Sequence, residues 1–130
     1  MLKHDSVVDF VSIPCVRKPE EIQNIREKLG IQGSHIKLIA KIENHEGIEN
    51  YDQILHEADG VIICRKNIGV ELPSEKVFIA QKWMTWRANL ASKSVIIATS
   101  VLESMVNNMR CKESEVQDIG NAVLDGVDAI

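Results

Sequence analysis
The sequence predicts an α/β fold with parallel strands, and three observations carry that prediction. Short runs rich in valine and isoleucine recur along the chain, the signature of strands buried on both faces. The segments between them carry helical periodicity, as crossover connections between parallel strands require. The resulting order is a strand followed by helix, repeated four times, and then the start of a fifth strand.

The first strand is expected in "VVDFVSI" from Val7. Pro19 then opens "PEEIQNIREKLG", with acidic residues in its first turn, Ile22, Ile25 and Leu29 on one face, and Gly30 as its stop. "IKLIAKI" from Ile36 forms the second strand, and "EGIENYDQILHEADG" places Ile48, Tyr51, Ile54 and Leu55 on one helical face. "GVIIC" from Gly60 is the third strand. The longest helix follows in "LPSEKVFIAQKWMTWRANLASK", with Ser74 as N-cap and an apolar face through Val77, Ile79, Ala80, Met84 and Ala88. "SVIIATS" from Ser94 is the fourth strand, two helices are expected near Leu102 to Asn107 and Glu113 to Leu124, and "DAI" begins the fifth. Periodicity alone fits either an open flavodoxin-like sheet or part of a closed eight-fold barrel. A whole barrel needs roughly 250 residues, about twice this chain.

At 130 residues and 45% hydrophobic, the chain has the composition of one soluble globular domain. The start "MLKHDSVVDF" carries Lys3, His4 and Asp5, and no eighteen-residue apolar run occurs, so a cytoplasmic protein without membrane association is expected. Cys15, Cys64 and Cys111 are odd in number and widely separated, which suits reduced thiols. A net charge of −4 without a basic cluster argues against nucleic acid as partner.

The segment "LIAKIENHEG" ends an apolar run in two opposite charges. On a strand, residues two apart share a face, so Lys41 and Glu43 project together while Ile42 and Asn44 point away. An ordinary salt bridge at a strand end is one reading. A phosphoryl-transfer site is the other, in which a cation steadies the transferring group and a carboxylate holds a divalent metal.

The surrounding words favour the second. "LIAKIENHEGIENYDQILHEADGVIICRKNIGVELPSEKVFIAQKWM" resembles the segment of pyruvate kinases that carries K-I-E-N-x-E-G and A-R-G-D-L-G-x-E-x-P. "VIIATSVLESM" resembles their V-I-x-A-T-Q-M-L-E-S-M, and "GNAVLDGVDAI" their A-N-A-V-L-D-G-x-D segment. "VDFVSIPCVRKPEEI" resembles an earlier strand and its exit. The resemblance implies a partial (β/α)8 TIM barrel of about four βα units over residues 1–130, representing the second half of that barrel. The family's lid, early barrel strands and C-terminal domain would be missing. It implies phosphoryl transfer from phosphoenolpyruvate to ADP, giving pyruvate and ATP in glycolysis, with Mg2+ or Mn2+ and K+ as cofactors.

By the same resemblance, Lys41 faces the transferring phosphoryl group and Glu43 is one of two metal carboxylates. Thr99 stands beside the enolate carbon. The turn "CRKNIG" brings Lys66 and Asn67 to the substrate's phosphate and carboxylate. Simpler roles for two residues are a cap on the following helix for Thr99 and a first-turn position for Glu46.

The chain departs from the family's pattern at the strand ends. Asn67 stands where the second metal aspartate belongs, which removes a negative charge and a hard anionic ligand. Lys66 replaces a glycine, and Pro14 and Cys15 alter the exit of the first strand. Ser100 and Val101 replace Gln-Met. The early strands would supply the remaining groups for substrate, nucleotide and potassium. Because Met1 matches the interior of the family's sequence, the chain is expected to be a fragment or a shortened product, inactive when isolated.

Half a barrel would leave two open strand edges, so association with a second copy or with a full-length pyruvate kinase is expected. The alternative function is therefore a non-catalytic pyruvate kinase-like binding or oligomerisation module. A response-regulator-like module is a third reading. It would need an acidic cluster at one strand end, where this chain has "CVRK", "KIEN", "CRKN" and "ATSV".

Overall fold
The β-branched runs pair into one parallel four-stranded sheet in the order β1-β2-β3-β4, formed by Phe10–Ile13, Lys37–Ile42, Gly60–Cys64 and Ser94–Ala98. The computed structural model describes residues 8–130. Val7, where the first apolar run starts, lies outside them. Among the described residues, six α-helices connect and follow the strands: α1 Pro19–Leu29, α2 His45–Glu49, α3 Tyr51–Glu57, α4 Arg65–Glu71, α5 Ser74–Leu90 and α6 Glu113–Leu124. The fifth strand has begun at the free edge of β4. Asp128 N–H donates to the Val95 carbonyl, Ile97 N–H donates to the Ala129 carbonyl, and Ile96 bridges Ala129 in parallel.

The two faces of this sheet have different fates. Ile13, Leu38, Ala40, Ile42, Val61, Ile63 and Val95 turn toward the helices and form one core with Ile22, Tyr51, Ile54, Ile68 and Met84. The opposite face carries Phe10, Ile39, Ile62 and Ile96, which line an open trough of about 620 Å³. Strands written in apolar residues on both faces need a layer on each. Here helices cover only one.

Several local expectations change. The "EGIENYDQILHEADG" helix is broken at Asn50 into α2 and α3. Ser74 is the first residue of α5 rather than its cap, a position held by Pro73, whose fixed φ suits the approach to a helix. Ile79 is 56% exposed, and the buried face of α5 is Gln81, Met84, Thr85 and Ala88. The Leu102 to Asn107 segment forms a short 3-10 turn over Glu103–Val106, entered by Leu102 at a left-handed φ of 55°. "CRKNIG" enters a helix, α4, directly after β3. Among the described residues, no helix is long and apolar enough to cross a membrane.

Asp59, just before β3, ties the lower rim of the sheet to α1. Its Oδ2 accepts from Arg26 Nη2 and from Leu38 N–H, each at 2.9 Å, and Lys37 Nζ lies 3.7 Å from Oδ1. Burial pushes this carboxyl up, but the Arg26 and Leu38 donors and the charges of Arg26 and Lys37 outweigh it, holding it below the ordinary aspartate range. A depressed folded pKa stabilises the chain above the unfolded pKa of about 3.9, and that stability disappears as pH falls through the folded value. Thermal melts from pH 6 to pH 2 should therefore show an acid loss that is shallower in Asp59→Asn. Equal slopes in the two proteins would refute the assignment.

Candidate active site
Parallel strands deliver all their C-terminal ends to one rim, and the register decides which side chains meet there. Lys41 pairs with Ile62, Ile62 with Ile96, and Cys64 with Ala98. Glu43, one residue beyond β2, continues the register of Cys64 and Ala98. Lys41 lies one layer deeper on the same face, so the two charges expected to project together do so. Lys41 Nζ is 2.8 Å from Glu43 Oε1, with Ile42 and Asn44 buried on the other side.

The pair is self-neutralising. The hydrogen bond to Glu43 raises the Lys41 pKa against the opposing effect of burial, so the lysine stays cationic. Burial pushes Glu43 up, but Lys41, by hydrogen bond and by charge, outweighs it, helped by Cys64 and Asn67, and the carboxylate stays ionised. Cys64 lies beside Glu43 in the same register, its thiol pushed up to about 11 by burial and by the neighbouring Glu43 charge. That thiol is neutral at physiological pH.

The exits of β3 and β4 lock together. Lys66 N–H donates to Thr99 Oγ1 at 3.1 Å, and the Thr99 hydroxyl donates to its neighbour, the Ala98 carbonyl, at 2.6 Å. Thr99 therefore caps the first turn of α4, across the strands, rather than the 3-10 turn that follows it. It does so at φ 75°, with Ser100 and Leu102 also left-handed. That region is costly for a β-branched residue and persists only where its surroundings enforce it. Arg65 supplies enforcement: Nη2 donates to the Thr99 carbonyl at 3.3 Å, and Nη1 lies 2.6 Å from Asp118 Oδ1 on α6. Lys66 itself sits in helical backbone, so its lack of a glycine's freedom causes no strain there.

The β1 exit and α2 close the other flank. Asn44 caps α2 by accepting from Gly47 N–H at 2.8 Å, and its amide approaches Cys15 Sγ at 3.6 Å. A Cβ on Gly47 would stand 2.6 Å from the Val16 carbonyl oxygen, so only glycine lets α2 pack this closely against the β1 exit. Glu46 lies in the first turn of α2. Sequence reasoning assigned no role to Arg65 or Asn44. Arg65 could be suspected as the residue directly following a strand, but its partner Asp118 is 53 positions away.

Lys41, Glu43, Lys66, Asn67 and Thr99 thus gather at the ends of β2, β3 and β4, with Asn67 Nδ2 donating to Glu43 Oε2 at 3.4 Å. Parallel βα units with polar groups collected at the C-terminal rim define the βα-barrel class of proteins, and this chain forms part of such a barrel. A family model described as pyruvate kinase, barrel domain, matches residues 2–130. The chain is 48% identical over 123 residues to pyruvate kinase PKLR of Rattus norvegicus, covering 95% of this chain and 21% of that protein. It is 48% identical over 123 residues to a pyruvate kinase of Agaricus bisporus, covering 95% and 23%. Human pyruvate kinase PKLR is 49% identical over 123 residues, covering 95% and 21%. The chain belongs to the pyruvate kinase family. It spans about a fifth to a quarter of the length of these relatives.

The residues present do not fit the divalent cation that the resemblance implies. Glu43 is the one carboxylate of the cluster, and both its oxygens are engaged by nitrogen donors, Lys41 and Asn67. Among the described residues, no group of three or more His, Cys, Asp or Glu side chains is placed to hold a metal ion. A hard cation needs several oxygen ligands, and Asn67 presents an N–H to Glu43 instead.

Proposed function
We propose that this chain carries the lysine and threonine side of a phosphoenolpyruvate site. In the complete reaction, the bond from phosphorus to the enol oxygen breaks, a new phosphorus–oxygen bond forms to ADP, and the enolate carbon takes a proton to give pyruvate. Lys41 balances the negative charge of the transferring phosphoryl group. The α4 entry, with Lys66 and Asn67, faces the substrate's anionic end, and Thr99 stands beside the carbon to be protonated. The observation that supports this reading is the convergence of these side chains on one rim, with Lys41 held cationic and still one-third exposed there.

Two features keep the isolated chain inactive in this reading. Glu43 is closed by nitrogen donors, and the Thr99 hydroxyl is spent on Ala98 and Lys66. A lactate-dehydrogenase-coupled assay with phosphoenolpyruvate, ADP, Mg2+ and K+ should show no turnover above a Lys41→Met control. Turnover that disappears in Lys41→Met would contradict inactivity while supporting the role of Lys41.

A second reading makes the chain a non-catalytic module that associates with a longer pyruvate kinase. The uncovered apolar trough on the sheet favours it. Co-purification of an intact pyruvate kinase, weakened by Phe10→Glu at the trough, would support it, and failure to associate in cells that make both proteins would remove it.

A further inference from the structure
The chain leaves β4 along a path that its own residues disfavour. Within four positions Thr99 has φ 75°, Ser100 and Leu102 each have φ 55°, and none of the three is glycine. Residues with a Cβ visit this left-handed region singly, and they stay there where their surroundings hold them. Two carboxylates of α6 reach this loop, one at each end. Asp118 Oδ1 lies 2.6 Å from Arg65 Nη1, and Arg65 Nη2 donates to the Thr99 carbonyl at 3.3 Å. Glu115, one turn earlier on the same face of α6, takes the other end. Its Oε1 accepts from Ser104 N–H at 2.9 Å, and its Oε2 accepts from the Ser104 hydroxyl and from Lys112 N–H. The Ser104 hydroxyl, with the N–H groups of Ser104 and Lys112, holds the Glu115 carboxyl below the ordinary glutamate range, so it stays ionised.

We infer that Glu115 and Asp118 are positioning residues for the rim: together they hold loop 99–104 in its left-handed path and so keep the Thr99 hydroxyl against Lys66 N–H. The two carboxylates matter because α6 has little else to hold. Ala122 is its one buried residue, while Val116, Val123 and Leu124 are 54%, 60% and 86% exposed. A helix seated by a broad apolar face would be fixed by the core, and its polar contacts would be incidental. Here Glu115 and Asp118 both serve the loop, and Lys82 secures the far end of the helix through Asp125 at 2.6 Å.

The consequence falls on one backbone group. Lys66 N–H lies in the first turn of α4 and has no acceptor within its own helix, so Thr99 Oγ1, at 3.1 Å, supplies one. Without the two carboxylates the loop relaxes toward ordinary φ, the hydroxyl leaves, and the Lys66 amide opens to solvent. The roles of Lys66 and Thr99 toward substrate rest on the proposed phosphoenolpyruvate reading. The hold of α6 on them does not.

The test is amide hydrogen exchange of the 130-residue chain, followed residue by residue by NMR. Thr99→Val, which keeps the branched shape and loses the hydroxyl, sets the rate of an uncapped Lys66 amide. Asp118→Ala and Glu115→Ala should each speed Lys66 exchange by about tenfold or more toward that rate, with the amides of the β2–β3 pairing unchanged. Asp118→Ala added to Thr99→Val should change Lys66 no further, because the group it positions is already gone. Ser100→Gly gives the sharper result. Ser100 is exposed, and glycine adopts φ 55° freely, so Ser100→Gly in the Asp118→Ala chain should return most of the lost protection. An ion pair that merely stabilised the fold would gain nothing from a glycine in the loop. Lys66 protection indifferent to both alanine variants overturns the inference. Equal acceleration of Lys66 and of the β2–β3 amides overturns it by making α6 a general support, and failure of Ser100→Gly to restore protection overturns the role of the left-handed path. The phosphoenolpyruvate reading fails separately: if millimolar phosphoenolpyruvate moves no resonance of Lys41, Lys66 or Thr99, the rim does not take it, and the exchange results stand.

Discussion
Tyr51→Ala should destabilise the chain by about 3–5 kcal/mol, a loss of the size expected when a buried aromatic is truncated to alanine. Tyr51 opens α3, has no exposed surface, and donates its hydroxyl to the Met84 carbonyl at 2.8 Å. Its ring lies 5.4 Å from that of Trp83 at a tilt of 53°, a geometry that adds favourable aromatic contact. The residue therefore joins α3 to α5, and α5 lies across β3 and β4, whose ends carry Asn67 and Thr99. Burial also pushes the phenol pKa well up, so the side chain stays a neutral donor. Tyr51→Phe separates the contributions: it keeps the ring and loses the hydrogen bond, for about 1 kcal/mol. Urea denaturation of both variants, followed by circular dichroism and tryptophan fluorescence, checks the pair. A cost for Tyr51→Ala no larger than that for Tyr51→Phe would mean that α3 and α5 do not share the core described above.

The strands were legible because they carry apolar residues at nearly every position, on the face packed under the helices and on the open face alike, and few other structures are written that way. α1 was legible for a related reason, since Pro19, Glu20, Glu21 and Gly30 mark its ends in the sequence. α5 was harder to read because it is apolar on both sides. Ile79 belongs to the outer stripe, and the inner face includes Gln81 and Thr85, which no hydrophobic pattern would select. Gln81 earns its burial through a contact with Arg65 at 3.4 Å, a relation that exists only after folding.

The site divides in the same way. Lys41 and Glu43 were readable because two residues on one strand need only the pleat to bring them together. The Thr99 contact with Lys66 depends on the β3–β4 register and on a left-handed threonine, and neither is written locally. The same is true of Arg65, which reaches Gln81, Thr99 and Asp118 at once. Side chains that hold a site together commonly come from distant elements. Their identities can be read from a sequence long before their partners can.

Asn67→Asp should convert the Glu43 cluster from a metal-free ion pair into a cation site. In the native chain, Lys41 and the Asn67 amide occupy the two oxygens of Glu43, so a divalent ion would have to displace nitrogen donors and accept a single carboxylate in return. The substitution turns the amide donor into a second carboxylate about where the first already stands. Two carboxylates at such a distance repel, which raises the pKa of one unless a cation bridges them. Without metal the variant should therefore melt below the native chain at pH 7. With Mn2+ it should recover, because an ion that binds only the folded state stabilises it by mass action. Electron paramagnetic resonance of free Mn2+ gives the direct measure. The native chain should leave millimolar Mn2+ unbound, and Asn67→Asp should bind it with a Kd of roughly a millimolar or below, in the range of simple carboxylate sites. Adding Glu43→Gln to Asn67→Asp should abolish the gain, since it returns the cluster to one carboxylate. Equal Mn2+ binding by the native chain and by Asn67→Asp would show that Asn67 serves as a ligand through its carbonyl oxygen. The hydrogen bond to Glu43 would then be the arrangement that a metal ion replaces.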